Sequence, residues 1–103
     1  MFEEKYIKII QDIVNKYSKE EQVMQTIEEM SELTKELVKN INRNKQNETE
    51  IILEVADVEI MLAQLILIYD IDPEKLQGAI EYKLLRQKER IKSFDKDIQC
   101  MTD

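Results

Sequence analysis

The longest apolar stretch of the sequence runs from Ile51 to Tyr69. The polar residues within this stretch are Glu54, Asp57, Glu59 and Gln64. A helix of this composition is apolar on almost every side, so the pattern predicts a buried helix. Carboxylates on a buried helix need a partner, because an isolated ionised carboxylate is costly in an apolar interior.

The first part of the chain predicts two amphipathic helices. The first covers about residues 2–17, with apolar side chains at helical spacing on one side. Ser18 and Glu21 form a capping-box pattern, so a second helix is predicted to begin directly after Ser18. The residues expected to face the core are Tyr6, Ile9, Ile10, Ile13 and Tyr17 on the first helix and Val23, Ile27, Met30, Leu37 and Ile41 on the second.

The Asn-rich segment Asn40–Asn47 is predicted to separate the second helix from a third, which covers residues 48–69. Asp72 followed by Pro73 is typical of a helix start, so a fourth helix is predicted from Pro73 to about Phe94. The tail over residues 95–103 has little apolar content and is expected to be frayed. The core-facing residues predicted on the fourth helix are Leu76, Ile80, Leu84, Ile91 and Phe94.

A single glycine and a single proline indicate an almost wholly helical chain. We therefore predict an all-α fold of the four-helix bundle type, with residues 1–103 forming one domain. The core of so short a chain is small, and a helix that is apolar on all sides needs more cover than the chain provides. We expect the bundle to be completed by oligomerisation into a homodimer or homotetramer, with Ile51–Tyr69 near the shared interface.

The net charge of −7 argues against nucleic acid as the main partner. The acidic start of the chain, Met1 to Glu4, lacks the basic region of a signal peptide. One cysteine, Cys100, fits a reducing compartment, and carboxylates interrupt the apolar stretch that could otherwise span a membrane. These features predict a cytoplasmic protein that binds neither nucleic acid nor membrane.

Two pairs of carboxylates flank the Asn-rich segment. Residues three apart lie on one face of a helix, so Glu29 pairs with Glu32, and Glu54 pairs with Asp57. In an antiparallel hairpin of the second and third helices, Glu29 lies opposite Asp57 and Glu32 lies opposite Glu54, because both pairs are centred on position 43. The four carboxylates are then expected to converge on one cavity.

Converging carboxylates repel one another unless a cation neutralises them. Oxygen ligands favour a hard ion, so the predicted cofactor is Mg²⁺, with Mn²⁺ as the alternative. The chain has no histidine and one cysteine, which leaves little means of building a nitrogen or sulfur site. The ordinary alternative is a solvated or ion-paired helix surface, and this is the interpretation that we favour for Glu36 and Glu59.

The acidic residues also form a recognisable motif. Glu28-Glu29-x-x-Glu32, followed after twenty-one residues by Glu54-x-x-Asp57, resembles the EExxE and ExxD signature of the all-α nucleoside triphosphate pyrophosphohydrolases, the MazG-like superfamily. Dimeric dUTPases and phosphoribosyl-ATP pyrophosphatase belong to the same group. The resemblance covers roughly residues 20–92 and includes a downstream Lys-x-x-Arg pattern formed by Lys83 and Arg86.

The resemblance implies a Mg²⁺-dependent enzyme that splits a nucleoside or deoxynucleoside triphosphate into the monophosphate and pyrophosphate, for nucleotide-pool sanitation or balance. The metal ligands that it implies are Glu29, Glu32, Glu54 and Asp57. The implied catalytic residues are Glu28 and Glu29, with Glu28 either supporting the metal ligands from outside or orienting the water. The implied phosphate-binding residues are Lys83 and Arg86.

Two alternatives stay open at this point. Within the superfamily, the chain could be a dUTPase or a phosphoribosyl-ATP pyrophosphatase. Outside it, the chain could be a non-enzymatic helical interaction module that forms oligomers, with acidic clusters that serve solubility and pairing specificity.

Overall fold

A computed structural model describes residues 2–102, and within that range the chain forms four α-helices and no strand. The helices are α1 (Glu4–Lys16), α2 (Lys19–Asn42), α3 (Glu48–Ile68) and α4 (Pro73–Thr102). The predicted all-α fold is therefore confirmed. None of the helices in the described range is both long enough and apolar enough to cross a membrane.

The chain divides into two compact units, Met1–Asp70 and Ile71–Asp103. In the first unit, α3 packs extensively against α2 and less extensively against α1. The second unit contains α4. The prediction that residues 1–103 form one domain, and that a bundle is completed by oligomerisation, stays a prediction.

Both predicted helix starts have the expected capping contacts. The Ser18 hydroxyl accepts a hydrogen bond from the Glu21 amide at 3.1 Å, and the Glu21 carboxylate accepts one from the Ser18 amide at 3.2 Å. These reciprocal bonds satisfy two donors that α2 would otherwise leave unpaired. At the start of α4, Asp72 Oδ1 accepts a hydrogen bond from the Glu74 amide at 3.0 Å, and Pro73 occupies the first helical position.

The Asn-rich segment forms the predicted break between α2 and α3. Asn44 adopts a positive φ of 48°, a conformation that asparagine tolerates better than most residues. Asn47 is buried, and its amide donates to the Glu36 carbonyl at 2.9 Å and to the Glu36 carboxylate at 2.6 Å. The Asn47 side-chain oxygen accepts a hydrogen bond from Asn40 at 3.1 Å. The loop is therefore attached to the last turns of α2.

A buried pair of amides joins the three helices of the first unit. Gln64 on α3 donates to the Gln22 side-chain oxygen at 2.9 Å. The Gln22 amide nitrogen in turn donates to the carbonyls of Val14 at 3.1 Å and Tyr17 at 2.9 Å, at the end of α1. Gln22 and Gln64 are both buried, so each lost hydrogen bond would leave an unsatisfied polar group. The sequence analysis did not identify this pair.

The prediction of apolar cores is wrong for most of the named side chains within this chain. Among residues 2–102, the buried apolar side chains are those of Ile10 and Met61. The helix predicted to be buried on all sides, α3, exposes Ile52 and Leu53 by 67% and 60%. In the first unit α1 and α2 pack against α3, and two helices do not provide enough surface to cover an apolar helix on every side. The predicted stripe residues that are exposed are Tyr6, Ile9, Tyr17, Ile27, Met30, Leu37, Ile41, Ile80, Leu84, Ile91 and Phe94.

The last helix is longer than predicted. It was expected to end at about Phe94 with a frayed tail, whereas α4 continues through Thr102; Asp103 lies outside the described residues. No glycine or proline follows Gly78 in the sequence, so nothing in the tail interrupts helical hydrogen bonding. Low apolar content therefore did not identify a helix end.

Replacing Asn47 by Ala is expected to lower the free energy of unfolding by about 1–3 kcal/mol, because it removes the hydrogen bonds that this buried side chain forms with the partly buried Glu36 and Asn40. Urea unfolding followed by circular dichroism measures this change. Asn42→Ala is the matched control, since Asn42 is an exposed asparagine at the end of α2, the helix that carries Glu36. Equal stabilities of the two variants would contradict the role assigned to Asn47.

The same contact predicts a pH dependence. The hydrogen bond from Asn47 lowers the pKa of Glu36, and the positive charge of Lys39 lowers it further. A carboxyl group whose pKa is lowered by folding stabilises the fold above its unfolded pKa, and this contribution is lost as the pH falls through the folded value. The destabilisation caused by Asn47→Ala should therefore be larger at pH 7 than at pH 3. A pH-independent difference between variant and wild type would contradict the ionic part of this contact.

Candidate metal centre

Three carboxylates from two helices meet in the first unit. Glu29 lies on α2, and Glu54 and Asp57 lie on α3. One oxygen from each of these side chains lies within 4.8 Å of the other two. We call this group the acidic cluster. It contains three of the four residues that the sequence analysis proposed as metal ligands.

The register of the α2–α3 hairpin explains why these residues meet. Glu29 and Asp57 are centred on position 43, as the sequence analysis expected, and the hydrogen-bonded pair Gln22 and Gln64 has the same centre. Seven residues, close to two helical turns, separate Gln22 from Glu29 and Asp57 from Gln64. The buried amide pair and the acidic cluster therefore lie on the same faces of the two helices.

Glu54 is the least solvated member of the acidic cluster. Its Oε2 atom is buried and has no hydrogen-bond partner within residues 2–102. Burial raises the pKa of Glu54, and the nearby carboxylates of Asp57, Glu29 and Glu32 raise it further. An ionised carboxylate in this position is unfavourable unless a positive charge accompanies it.

Glu29 is held by a neighbour on its own helix. The Gln25 amide donates a hydrogen bond to Glu29 Oε1 at 2.7 Å, across one helical turn. This bond orients the carboxylate while leaving its second oxygen available. The sequence analysis did not identify Gln25.

Glu32 and Glu28 lie outside the acidic cluster. Glu32 forms an exposed ion pair with Lys35 at 3.7 Å, although its charge still raises the pKa of Glu54. Glu28 is exposed on α2. Of the two residues interpreted as surface groups, Glu36 binds Lys39 at 3.4 Å and Glu59 is exposed.

The acidic cluster fits a hard divalent cation. Mg²⁺ binds oxygen ligands at about 2.0–2.1 Å, so ligands on opposite sides of the ion lie about 4.1 Å apart. The oxygens of the acidic cluster lie within 4.8 Å of one another, so small side-chain rotations would bring them to separations that suit the ion. The unpaired Glu54 oxygen is the kind of atom that a cation satisfies, and all three side chains supply oxygen ligands.

A pocket near the acidic cluster is formed by residues of α2 and α3 together with the end of α1. It encloses about 330 Å³ and is lined by Tyr17, Met61 and the amides of Gln22, Gln25 and Gln64, among others. Gln25 connects the pocket to the acidic cluster, because it lines the pocket and donates a hydrogen bond to Glu29. Gln64 Oε1 accepts no hydrogen bond from the described residues. The pocket therefore combines an apolar wall, an aromatic ring and a free amide acceptor.

The proposed phosphate-binding residues lie on α4, in the second unit. Lys83 and Arg86 are both exposed. The Arg86 guanidinium lies 5.8 Å from the centre of the Tyr82 ring, within the range of a cation–π interaction. Their phosphate-binding role stays a prediction.

Comparisons with known proteins do not identify a family. No protein-family model, no curated protein and no solved structure matches this chain. The resemblance to MazG-like enzymes therefore rests on the acidic motif and its spacing.

Proposed function

We propose that this chain is a Mg²⁺-dependent nucleoside triphosphate pyrophosphohydrolase of the MazG-like kind. The observation that carries the proposal is the acidic cluster, in which oxygens of Glu29, Glu54 and Asp57 lie within 4.8 Å of one another and Glu54 Oε2 is buried with no hydrogen-bond partner in the described part of the chain. A stable helix surface gains nothing from holding three like charges together. A site that binds a cation and, through it, a polyphosphate explains the arrangement.

The proposed reaction is attack of water on the α-phosphorus of the substrate. The bond from this phosphorus to the bridging oxygen of the β-phosphate breaks, pyrophosphate leaves and the water loses a proton. A bound divalent cation supplies Lewis acidity and lowers the pKa of the attacking water. The acidic cluster holds the cation, the Gln25 hydrogen bond orients Glu29, and a carboxylate of Glu28 or Glu29 accepts the proton.

We place the nucleoside in the pocket beside the acidic cluster. Met61 lies one helical turn beyond Asp57, which is about 6 Å along α3. That step suits a sugar placed between a base in the pocket and an α-phosphate at the cluster. The Tyr17 ring offers a stacking surface, and Gln64 Oε1 can accept a hydrogen bond from the base.

Tyr17→Ala is expected to raise KM for nucleoside triphosphates by about tenfold, because stacking of one base on an aromatic ring contributes about 1–3 kcal/mol. Tyr17 is half exposed, so its truncation should leave the fold intact. Tyr6→Ala is the control, since Tyr6 lies on the same helix and lines a different cavity. Steady-state kinetics with both variants measures the effect, and an unchanged KM for Tyr17→Ala would contradict this placement of the base.

The function itself is tested by incubating the chain and Mg²⁺ with a panel of canonical, deoxy and modified nucleoside triphosphates. The expected products are nucleoside monophosphate and pyrophosphate in equal amounts. The panel also distinguishes a dUTPase, which would act on dUTP alone, and phosphoribosyl-ATP should be included as a further substrate. No turnover of any substrate, or release of nucleoside diphosphate and inorganic phosphate, would contradict the proposal.

The non-enzymatic interaction module is retained as the second candidate. The observation that favours it is the exposure of large apolar side chains on all four helices, which suits protein–protein contacts. An oligomeric enzyme would also use such surfaces. Catalytic turnover therefore separates the two functions, whereas oligomerisation alone does not.

A further inference from the structure

The C-terminal helix α4 carries an unbroken heptad pattern over its last three quarters. Counting from Ile80, apolar residues and one glutamine occur at alternating steps of four and three positions. This is the spacing of the a and d positions of a coiled coil. Gln87 is the polar residue in this series. The apolar members are Ile80, Leu84, Ile91, Phe94, Ile98 and Met101. We call these seven residues the α4 seam.

The α4 seam is exposed in the single chain. Leu84, Ile91 and Phe94 each expose more than 60% of their surface, and none of the thirty residues of α4 is buried. Most helix stability in proteins comes from packing of an apolar face rather than from helix propensity. The seam therefore needs a covering partner with its own apolar stripe.

Charges beside the α4 seam indicate what covers it. The e and g positions begin with the negative charge of Glu81, carry positive charge in the middle of the helix at Lys83, Lys88 and Arg90, and carry negative charge further along at Asp95 and Asp97. Residues at these positions form the ion pairs that set partner orientation in coiled coils. A second copy of the same helix offers both signs in the reverse order when it runs antiparallel.

The two orientations differ in their charge pairs. In an antiparallel pair whose layers place Ile91 against Phe94 of the other copy, Lys88 faces Asp95 and Arg90 faces Asp97, and the two-fold axis repeats each pair. In a parallel pair, Lys83 faces Lys88, which is repulsive, and Arg90 faces Asp95. In the antiparallel arrangement, the Lys88–Asp95 and Arg90–Asp97 pairs all join opposite charges. In the parallel arrangement, the two Lys83–Lys88 pairs join like charges.

We propose that α4 is a self-association helix that forms an antiparallel two-stranded coiled coil with α4 of a second copy of this chain. The seam supplies the apolar contacts, and the charges of Lys88, Arg90, Asp95 and Asp97 fix the direction. This interface differs from the one expected at Ile51–Tyr69. It holds whether or not the chain hydrolyses nucleotides.

The single cysteine allows the orientation to be measured on the full chain. Cys100 is exposed on α4, and a nitroxide spin label attached to it reports the distance between two copies by pulsed EPR. In the proposed register Cys100 lies level with Leu85 of the other copy, so the two labelled positions are about 22 Å apart along the axis. In a parallel pair they lie side by side, separated by roughly the 8–10 Å interaxial distance and the label arms.

Two substitutions connect the measured distance to the α4 seam. Ile91→Asp places a charge in the seam and is expected to abolish the long distance, while circular dichroism shows whether the helices persist. Lys88→Glu distinguishes the orientations by sign, because it turns the antiparallel Lys88–Asp95 pairs repulsive but the parallel Lys83–Lys88 pairs attractive. We expect Lys88→Glu to weaken association at least about fivefold, because two exposed ion pairs are lost and replaced by repulsion.

The matched control is Lys96→Glu, which makes the same charge change on the outer face of α4. Association is measured for all variants by sedimentation velocity over a range of concentrations. The proposal is supported by a long label distance that Ile91→Asp removes, Lys88→Glu weakens and Lys96→Glu preserves. A short distance, no distance at all, a long distance that survives Ile91→Asp, or tighter association of Lys88→Glu would overturn it.

Discussion

Replacing Glu54 by Gln is expected to reduce Mg²⁺-dependent pyrophosphate release at least about a hundredfold, more than the loss typical of an outer-shell change at a metal site. Glu54 supplies one of the three converging oxygens, and its Oε2 atom is buried without a hydrogen-bond partner among residues 2–102. An amide of the same size keeps the packing but removes the negative charge that attracts the cation. The initial rate of pyrophosphate release at saturating substrate measures the effect.

The fold should survive this substitution. The raised pKa of Glu54 shows that its ionised form is disfavoured at this position, with burial as the main cause and the neighbouring carboxylates as the second. A neutral side chain of the same shape is therefore expected to leave the stability of the metal-free protein unchanged or to increase it. Asp57→Asn is expected to behave in the same way as Glu54→Gln.

Glu59→Gln is the matched control for charge. Glu59 lies on the same helix, is exposed and is not a member of the acidic cluster, so its replacement changes the net charge equally without touching the proposed site. Near-normal activity of both Glu54→Gln and Asp57→Asn would refute the ligand assignment. Equal losses in Glu54→Gln and Glu59→Gln would show that only overall charge matters.

Saturating Mg²⁺ is expected to raise the free energy of unfolding of the wild-type chain by about 1–3 kcal/mol at concentrations well above Kd. The reason is that the folded hairpin brings Glu29, Glu54 and Asp57 together, whereas the unfolded chain does not. Thermal unfolding with and without Mg²⁺ measures the gain, and Na⁺ at matched ionic strength controls for general screening.

The same two variants locate the stabilisation. Glu54→Gln should lose the gain from Mg²⁺, and Glu59→Gln should retain it. An unfolding curve of the wild-type chain that Mg²⁺ does not change would favour the interaction module over the enzyme.

The starts of α2 and α4 and the hairpin could be predicted because local chemistry determines them. The Ser18–Glu21 capping box and the Asp72–Pro73 start specify helix ends within a few residues of sequence. The Asn-rich segment located the turn, and simple counting about position 43 then brought Glu29 opposite Asp57. Three of the four proposed ligands meet for this reason.

The remaining features depend on side-chain choices that spacing does not determine. Glu32 has the same helical spacing as Glu29, but it pairs with Lys35 while Glu29 accepts a hydrogen bond from Gln25. The pattern of residue types predicts that apolar side chains form the core. However, Gln22 and Gln64 are buried, and most of the apolar side chains predicted to face the core are exposed. Their mutual hydrogen bond removes the usual cost of burying amides, and a pattern of residue types does not reveal that pairing.

The proposed chemistry depends on a hard cation held by the acidic cluster, and a Mn²⁺ titration followed by EPR tests this most directly. Free Mn²⁺ in solution has a strong spectrum that weakens when the ion is bound to protein, so the signal counts bound ions. We predict saturable binding by the wild-type chain and by Glu59→Gln, displacement of the Mn²⁺ by Mg²⁺, and loss of binding in Glu54→Gln. Equal binding by Glu54→Gln and the wild type, or no binding by the wild type, would contradict the account.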